Sequence, residues 1–213
     1  MLLFKTRVVR AVLFDVGGVF VAADMERYVP IGCALFRTTP EPLRRKVAAH
    51  LPLLERGGMT SAQFWRLVGQ ELWRDGEGEE WPLQDTNFWE DIFLATLQVD
   101  GPLLHLVDQL RFQGVKVGVL SNTIADHAHI LETLGFYRRF DFSVLSCKVG
   151  LRKPQREIYW LAAQMAGFPI EECLLIDDQL PNVRAAKGQG MQSWHYRDFK
   201  GLRRELERLR LLN

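Results

Sequence analysis

This sequence of 213 residues has only three cysteines, a net charge close to zero and few long apolar runs. The three cysteines are far apart and form no C-x-x-C pair, so we predict neither a disulfide framework nor a zinc site. The net charge of +1 gives no overall case for binding nucleic acid or an anionic membrane. The basic stretch 200–210 has apolar residues at helical spacing, which favours an amphipathic surface helix over a nucleic-acid contact.

No apolar stretch approaches the ~18 residues that identify a membrane-spanning helix. Near the N-terminus, Lys5, Arg7 and Arg10 interrupt any signal-peptide pattern, and Asp15 ends the apolar run that follows. We therefore expect a cytoplasmic protein that interacts with neither membranes nor nucleic acid. The sequence leaves the oligomeric state open.

The order of predicted elements indicates an α/β fold with an insertion. Residues 8–14 form an apolar strand, residues 23–99 contain helical segments without strand signals, and from Pro102 onward helices and strands alternate. Strands separated by single helices need crossover connections, which predicts a parallel, Rossmann-like sheet with helices on both faces. We expect residues 1–22 and 100–213 to form the core, and residues 23–99 to form an inserted α-helical cap domain.

The sequence also predicts bounds for the individual elements. In the insertion we expect helices over 26–36 and 41–54, the second broken near its end by Pro52, and helices that start at Thr60-Ser61 and at Thr86. Beyond it we expect strands at 115–120, 142–145, 173–176 and 192–195, with helices over 125–134, 154–166 and 181–188 between them. Four tryptophans of the insertion fit either a bundle core or the lining of a cavity: Trp65, Trp73, Trp81 and Trp89.

Two apolar strands end in carboxylates. Asp15 follows Val12-Leu13-Phe14 and precedes two glycines, and the pair Asp177-Asp178 follows Leu174-Leu175-Ile176. Each could be a local helix cap. Because α/β sheets place ligands at the carboxyl ends of their strands, the two together indicate one shared acidic, metal-binding site.

Two further polar groups lie at predicted strand ends. Ser121-Asn122-Thr123 follows the strand 117–120, and Lys153 precedes Pro154. Asp15, Ser121-Asn122, Lys153 and Asp177-Asp178, in this order, resemble the four motifs of the haloacid dehalogenase superfamily, specifically members with a helical cap after the first motif.

The resemblance implies a chemistry for each of these residues. Asp15 would be the catalytic nucleophile and would form an aspartyl phosphate. A Mg²⁺ ion would be bound by the side chains of Asp15 and Asp178 and the backbone carbonyl of Gly17, with Asp177 a direct ligand or one step removed. Ser121 and Asn122 would bind the phosphoryl group, and Lys153 would neutralise its charge.

One position departs from the superfamily pattern. Phosphatases of the superfamily usually carry a second aspartate two residues after the nucleophile, which acts as general acid and base, but this chain has Gly17 there. A sub-group that resembles an α-glucose-1-phosphate phosphatase also has glycine at this position, which makes a sugar phosphate an attractive substrate. Asp24 is a candidate substitute acid.

Three functions are compatible with these residues. The favoured one is a Mg²⁺-dependent phosphatase acting on a small phosphorylated metabolite. A binding or regulatory protein on a catalytically weakened scaffold is the second, because Gly17 supplies no acid. A 2-haloacid dehalogenase is the third, disfavoured because such enzymes carry an aromatic residue and a threonine in the first motif, where this chain has Gly17 and Val19.

Overall fold

A computed structural model describes residues 8–21, 25–79 and 88–212. Within these ranges the strands form one parallel sheet in the order β3-β2-β1-β4-β5. Their bounds are β1 Ala11–Phe14, β2 Lys116–Ser121, β3 Phe142–Leu145, β4 Cys173–Asp177 and β5 Gln192–His195. The predicted strands are confirmed, although the first begins at Ala11 rather than at residue 8.

The central strand β1 is buried on both faces of the sheet. Its successive side chains point to opposite faces, and each face packs in a different hydrophobic cluster. Val12 and Phe14 join one hydrophobic cluster, while Ala11 and Leu13 join another. Helices cover both clusters, as crossover connections between parallel strands require. The predicted α/β fold with helices on both faces is therefore confirmed.

Ten α-helices lie within the described residues. Their bounds are α1 Tyr28–Phe36, α2 Pro40–Leu54, α3 Ser61–Arg74, α4 Phe88–Thr96, α5 Gly101–Phe112, α6 Ala125–Thr133, α7 Ser146–Val149, α8 Arg156–Ala166, α9 Leu180–Gly188 and α10 Phe199–Arg208. In α10, Leu202 and Leu206 are buried at i, i+4 spacing, so the predicted amphipathic surface helix is confirmed.

Helix α1 begins at Tyr28 rather than at residue 26, and helices α2 and α8 differ from the predictions in other ways. Helix α2 continues through Pro52 to Leu54, because a proline in the last turn removes one backbone hydrogen bond without preventing the turn from closing. Helix α8 begins at Arg156, because residues 152–155 form a turn in which the Gln155 N–H donates to the Arg152 carbonyl at 2.9 Å. The predicted start at Thr86 lies outside the described residues.

Helices α1 to α4, which we call the helical insert, have a hydrophobic cluster of their own. Tyr28, Trp65 and Trp89 pack together in it, with the two tryptophan rings 5.1 Å apart. Trp73 is instead about half exposed, and Trp81 lies outside the described residues. A division into two domains at residues 22/23 and 99/100 stays a prediction. In the described part of the chain, no helix has the length and apolarity needed to cross a membrane.

Candidate active site

Three carboxylates meet at the carboxyl edge of the sheet. Strands β1 and β4 pair with Phe14 opposite Ile176, and the Asp15 N–H donates to the Ile176 carbonyl at 2.9 Å. This register brings Asp15 next to the end of β4. One oxygen atom each of Asp15, Asp177 and Asp178 lies within 4.8 Å of the others. The acidic cluster that was predicted from the two strand ends is therefore present in the structure.

Lys153 lies between two of these carboxylates. Its ammonium nitrogen is 3.0 Å from Asp15 Oδ2 and 2.6 Å from Asp177 Oδ2, and it donates to the Leu120 carbonyl at 2.8 Å. Burial favours the neutral amine, but the two carboxylates outweigh it and raise the pKa of Lys153 above its ordinary value. Burial raises the pKa of Asp15 to about 6, against the opposing charge of Lys153.

Ser121 and Asn122 come from the end of β2, beside β1. The Asn122 amide donates to the Lys153 carbonyl at 2.9 Å and accepts from the Lys153 N–H at 2.8 Å. Ser121 is buried, and its hydroxyl donates to the Asn122 carbonyl at 3.4 Å. The structure thus shows Asn122 orienting the backbone of Lys153, while phosphate binding by Ser121 and Asn122 stays a prediction.

The two neighbouring aspartates have different surroundings. Asp177 is buried and accepts hydrogen bonds from the Gln179 N–H at 2.8 Å and from the Asn182 amide at 3.1 and 3.2 Å, besides its ion pair with Lys153. Asp178 Oδ2 accepts from the Gln179 side chain at 2.7 Å, but Asp178 Oδ1 is buried and has no hydrogen-bond partner among the described residues. A buried carboxylate oxygen without a partner is costly unless a further group binds it.

The two glycines after Asp15 serve different purposes. Gly18 has φ +74°, and a Cβ there would lie 2.2 Å from Asp178 Oδ2, so a side chain at this position would displace the carboxylate. Gly17 does not have a positive φ, and its backbone forms a bridge with Val21. The candidate acid Asp24 lies outside the described residues.

A cavity of about 130 Å³ lies between the helical insert and the loop that follows Asp15, although the three carboxylates do not line it. It is lined on the sheet side by Gly17 and Ser121, and on the other side by residues of the insert, including Trp89 and Phe93. His127 of α6 also lines the cavity, and its ring stacks on that of Phe93 at 4.1 Å.

Sequence reasoning missed Glu55, which also lines the cavity. Arg152 Nε donates to Glu55 Oε2 at 2.7 Å, which joins the loop that carries Lys153 to the end of α2. The two residues are 97 positions apart, so no local pattern could have paired them.

Residues 9–190 match the haloacid dehalogenase-like hydrolase family. The chain belongs to this family. The match covers Asp15, Ser121-Asn122 and Asp177-Asp178 at strand ends and Lys153 in the turn before α8, and the predicted resemblance is thereby confirmed. The protein is accordingly a hydrolase of the haloacid dehalogenase-like type.

Curated relatives of this hydrolase match parts of their own length. Bifunctional epoxide hydrolase 2 of Rattus norvegicus is 24% identical over 73% of this chain and 30% of that protein. The sesquiterpene phosphatase astK of Aspergillus oryzae is 32% identical over 53% of this chain and 58% of that protein. The glyceraldehyde 3-phosphate phosphatase of Methanopyrus kandleri is 30% identical over 48% of this chain and 45% of that protein. This chain thus matches between 30% and 58% of the length of these relatives.

Solved structures share the fold over nearly the whole chain. A HAD-family enzyme from Bacteroides thetaiotaomicron, in complex with magnesium and inorganic phosphate, has a TM-score of 0.69 and 22% identity, and the similarity covers 91% of this chain and 98% of that one. The L-2-haloacid dehalogenase RSc1362 has a TM-score of 0.60 and 20% identity over 87% of this chain and 85% of that one. At these identities the similarity shows the fold of the hydrolase and not its substrate.

Proposed function

We propose that this hydrolase is a Mg²⁺-dependent phosphatase that acts on a small phosphorylated metabolite through an aspartyl phosphate on Asp15. The observation that carries the proposal is the buried, unpartnered Asp178 Oδ1 beside Asp15, in a cluster where three carboxylates face the single ammonium of Lys153. Such a cluster has two negative charges in excess and room for a divalent cation between it and an anionic substrate.

The donor set fits Mg²⁺. Its ligands would be the carboxylates of Asp15 and Asp178 and the Gly17 carbonyl, all hard oxygen donors. Asp177 would support the site without binding the ion directly, because its oxygens already accept hydrogen bonds from Asn182 and the Gln179 N–H. When bound, Mg²⁺ would neutralise negative charge on the carboxylates and on the phosphoryl oxygens.

The chain's own residues would carry the two chemical steps. An Asp15 carboxylate oxygen forms a bond to phosphorus while the bond from phosphorus to the ester oxygen breaks, and the alcohol leaves with a proton from water or an acid. A water molecule then attacks phosphorus, which releases inorganic phosphate and restores Asp15. The Lys153 ammonium, 3.0 Å from Asp15 Oδ2, would supply positive charge in both steps. The two hydrogen bonds between the Asn122 amide and the Lys153 backbone would hold that residue in place.

Two relatives support this reaction class, since one is named a sesquiterpene phosphatase and the other a glyceraldehyde 3-phosphate phosphatase. A sugar phosphate substrate and a cytoplasmic location stay predictions from the sequence. The dehalogenase among the solved structures shares the fold alone. The orphan oxygen of Asp178 favours a metal-dependent phosphatase over a metal-free dehalogenase.

The proposal is tested by the metal dependence of phosphate release from acetyl phosphate. We expect turnover to stop with EDTA and to return with Mg²⁺, and Asp15→Asn to lower turnover by orders of magnitude with the thermal melt little changed. Asp91→Asn, at an exposed position of α4, is the matched control and should retain full activity. Metal-dependent activity above a few per cent in Asp15→Asn would contradict the nucleophile. Absence of any turnover in the wild type would favour the binding or regulatory alternative.

A further inference from the structure

One face of helix α4 is turned toward the cavity beside the candidate active site. Trp89, Ile92, Phe93 and Thr96 all line the cavity, and their i, i+3, i+4, i+7 spacing is the spacing of one helix face. Because Gly17 and Ser121 line the same cavity, this face adjoins the place where a bound ester would react. Three of its four side chains are large and apolar.

Several polar side chains in this lining are already engaged. The Thr96 hydroxyl donates to the Ile92 carbonyl at 2.8 Å, within its own helix. Glu55 accepts the hydrogen bond from Arg152. The His127 ring is stacked on Phe93, and burial lowers the pKa of His127 to about 4, so the ring is neutral near pH 7. Its buried Nε2 has no hydrogen-bond partner among the described residues, so it offers a ligand one hydrogen bond and no charge.

We propose that this cavity binds the alcohol part of the substrate and selects an apolar group about the size of one six-membered carbon ring. The inference rests on the proposed phosphatase activity and narrows its substrate class. The volume of about 130 Å³ is close to that of an engineered apolar cavity of about 150 Å³ that binds benzene. A sugar of the same size would lose the hydrogen bonds that its several hydroxyl groups make to water, and the free Nε2 of His127 could replace only one of them.

The test compares two substrates that differ mainly in their hydroxyl groups. Cyclohexylmethyl phosphate and glucose 6-phosphate are both primary alkyl esters with a six-membered ring next to the ester carbon. We expect kcat/KM to be higher for cyclohexylmethyl phosphate by about tenfold or more, the scale on which an apolar pocket discriminates. Equal or better hydrolysis of glucose 6-phosphate, in protein that also hydrolyses acetyl phosphate, would overturn the inference and leave the proposed function intact. If neither ester and not even acetyl phosphate is hydrolysed with Mg²⁺ present, the proposed function is wrong and the inference falls with it.

Variants of α4 assign the selectivity to the cavity. Ile92→Asn places an amide on the lining face and should shift the ratio of kcat/KM values toward glucose 6-phosphate by about tenfold. Leu94→Asn makes the same kind of change at an exposed position of the same helix and should leave the ratio as it is. Because both kcat/KM values of a variant are measured on the same protein sample, their ratio does not depend on the fraction of that protein that is folded. An equal shift in both variants would contradict the assignment.

A second variant keeps the test open if Ile92→Asn fails to fold. Thr96→Val retains the shape of the side chain and removes a hydroxyl that already donates within its own helix, so the preference for cyclohexylmethyl phosphate should be kept or rise. A fall in that preference would overturn the inference.

Discussion

At the scale of single residues, Asp177 and Asp178 illustrate how two neighbouring carboxylates acquire different roles. Asp177 is completely buried, paired with Lys153 and held by Asn182. Asp178 is more exposed and keeps one oxygen without a hydrogen-bond partner. The first is therefore suited to holding the site together, and the second to binding a cation.

Replacing each aspartate by asparagine should separate these roles. We expect Asp178→Asn to raise the Mg²⁺ concentration for half-maximal activity by about tenfold or more, because a carboxylate that faces the ion is lost. Asp177→Asn should instead lower stability by about 3 kcal/mol, because it leaves the buried Lys153 with one carboxylate fewer. Magnesium titrations and thermal melts of both variants check the prediction. It fails if Asp177→Asn has the larger effect on magnesium activation.

His127 should make stability depend on pH. Its folded pKa of about 4 lies below the ordinary 6.5, so the unfolded chain binds the extra proton first as pH falls. This contribution to stability is present above pH 6.5 and is lost progressively down to pH 4. Between pH 7 and pH 5 the loss should be about 2 kcal/mol.

Other groups titrate in the same range, since the raised pKa of Asp15 acts with the opposite sign. The measurement is therefore the difference between wild type and His127→Gln in the free energy of unfolding at pH 7 and pH 5. His129→Gln, at an exposed position of the same helix, is the control and should keep the wild-type pH dependence. An unchanged pH dependence in His127→Gln would contradict the assignment.

At the scale of elements, α2 and α3 of the helical insert are each preceded by a threonine at the N-cap position, but only one of the two threonine side chains caps its helix. Thr60 Oγ1 accepts from the Gln63 N–H at 3.2 Å, and the Gln63 side chain accepts from the Thr60 N–H at 2.9 Å, which completes a capping box. Thr39 precedes α2 with no such side-chain bond. Both threonines are exposed, so the cap is the main difference between them.

Thr60→Ala should therefore cost about 1 kcal/mol of unfolding free energy, the usual value of a side-chain cap. Thr39→Ala should change it by less than about 0.5 kcal/mol, as exposed positions without such a role do. Urea unfolding of the two variants provides the comparison. Equal losses would show that the box at α3 contributes nothing specific.

At the scale of the whole molecule, the Glu55–Arg152 pair joins the helical insert to the loop that carries Lys153. Its atoms are 2.7 Å apart and both side chains are largely buried. Burial raises the pKa of Glu55, against the opposing charge of Arg152. The pair thus links the position of the insert to that of the site.

A double-mutant cycle measures this link. With Glu55→Gln and Arg152→Gln we expect a coupling in unfolding free energy of about 1 kcal/mol or more, as for partly buried partners in contact. The exposed pair Arg203–Glu207 in α10 is the comparison, and its coupling should be about 0.3–0.5 kcal/mol. Equal couplings for the two pairs would show that the link between insert and loop has no special strength.

The sequence by itself determined the sheet and the residues at its edge. Runs such as Cys173–Asp177 are apolar on both sides because helices cover both faces of a parallel sheet, and their ends are marked by polar residues. Parallel strands bring their carboxyl ends to one edge, so Asp15 and Asp177 are expected at the same edge of the sheet. The strand order that makes β1 and β4 neighbours does not follow from these local patterns.

Only the tertiary structure decided how the atoms at that edge are used. The unpartnered oxygen of Asp178, the hold of Asn122 on Lys153, and the pairing of Glu55 with Arg152 each depend on elements far apart in sequence. The same holds for the cavity, whose volume and lining arise where α4 packs against α6 and the sheet edge. Residue patterns encode which face of an element is buried, but the partner of a buried polar atom is set by long-range packing.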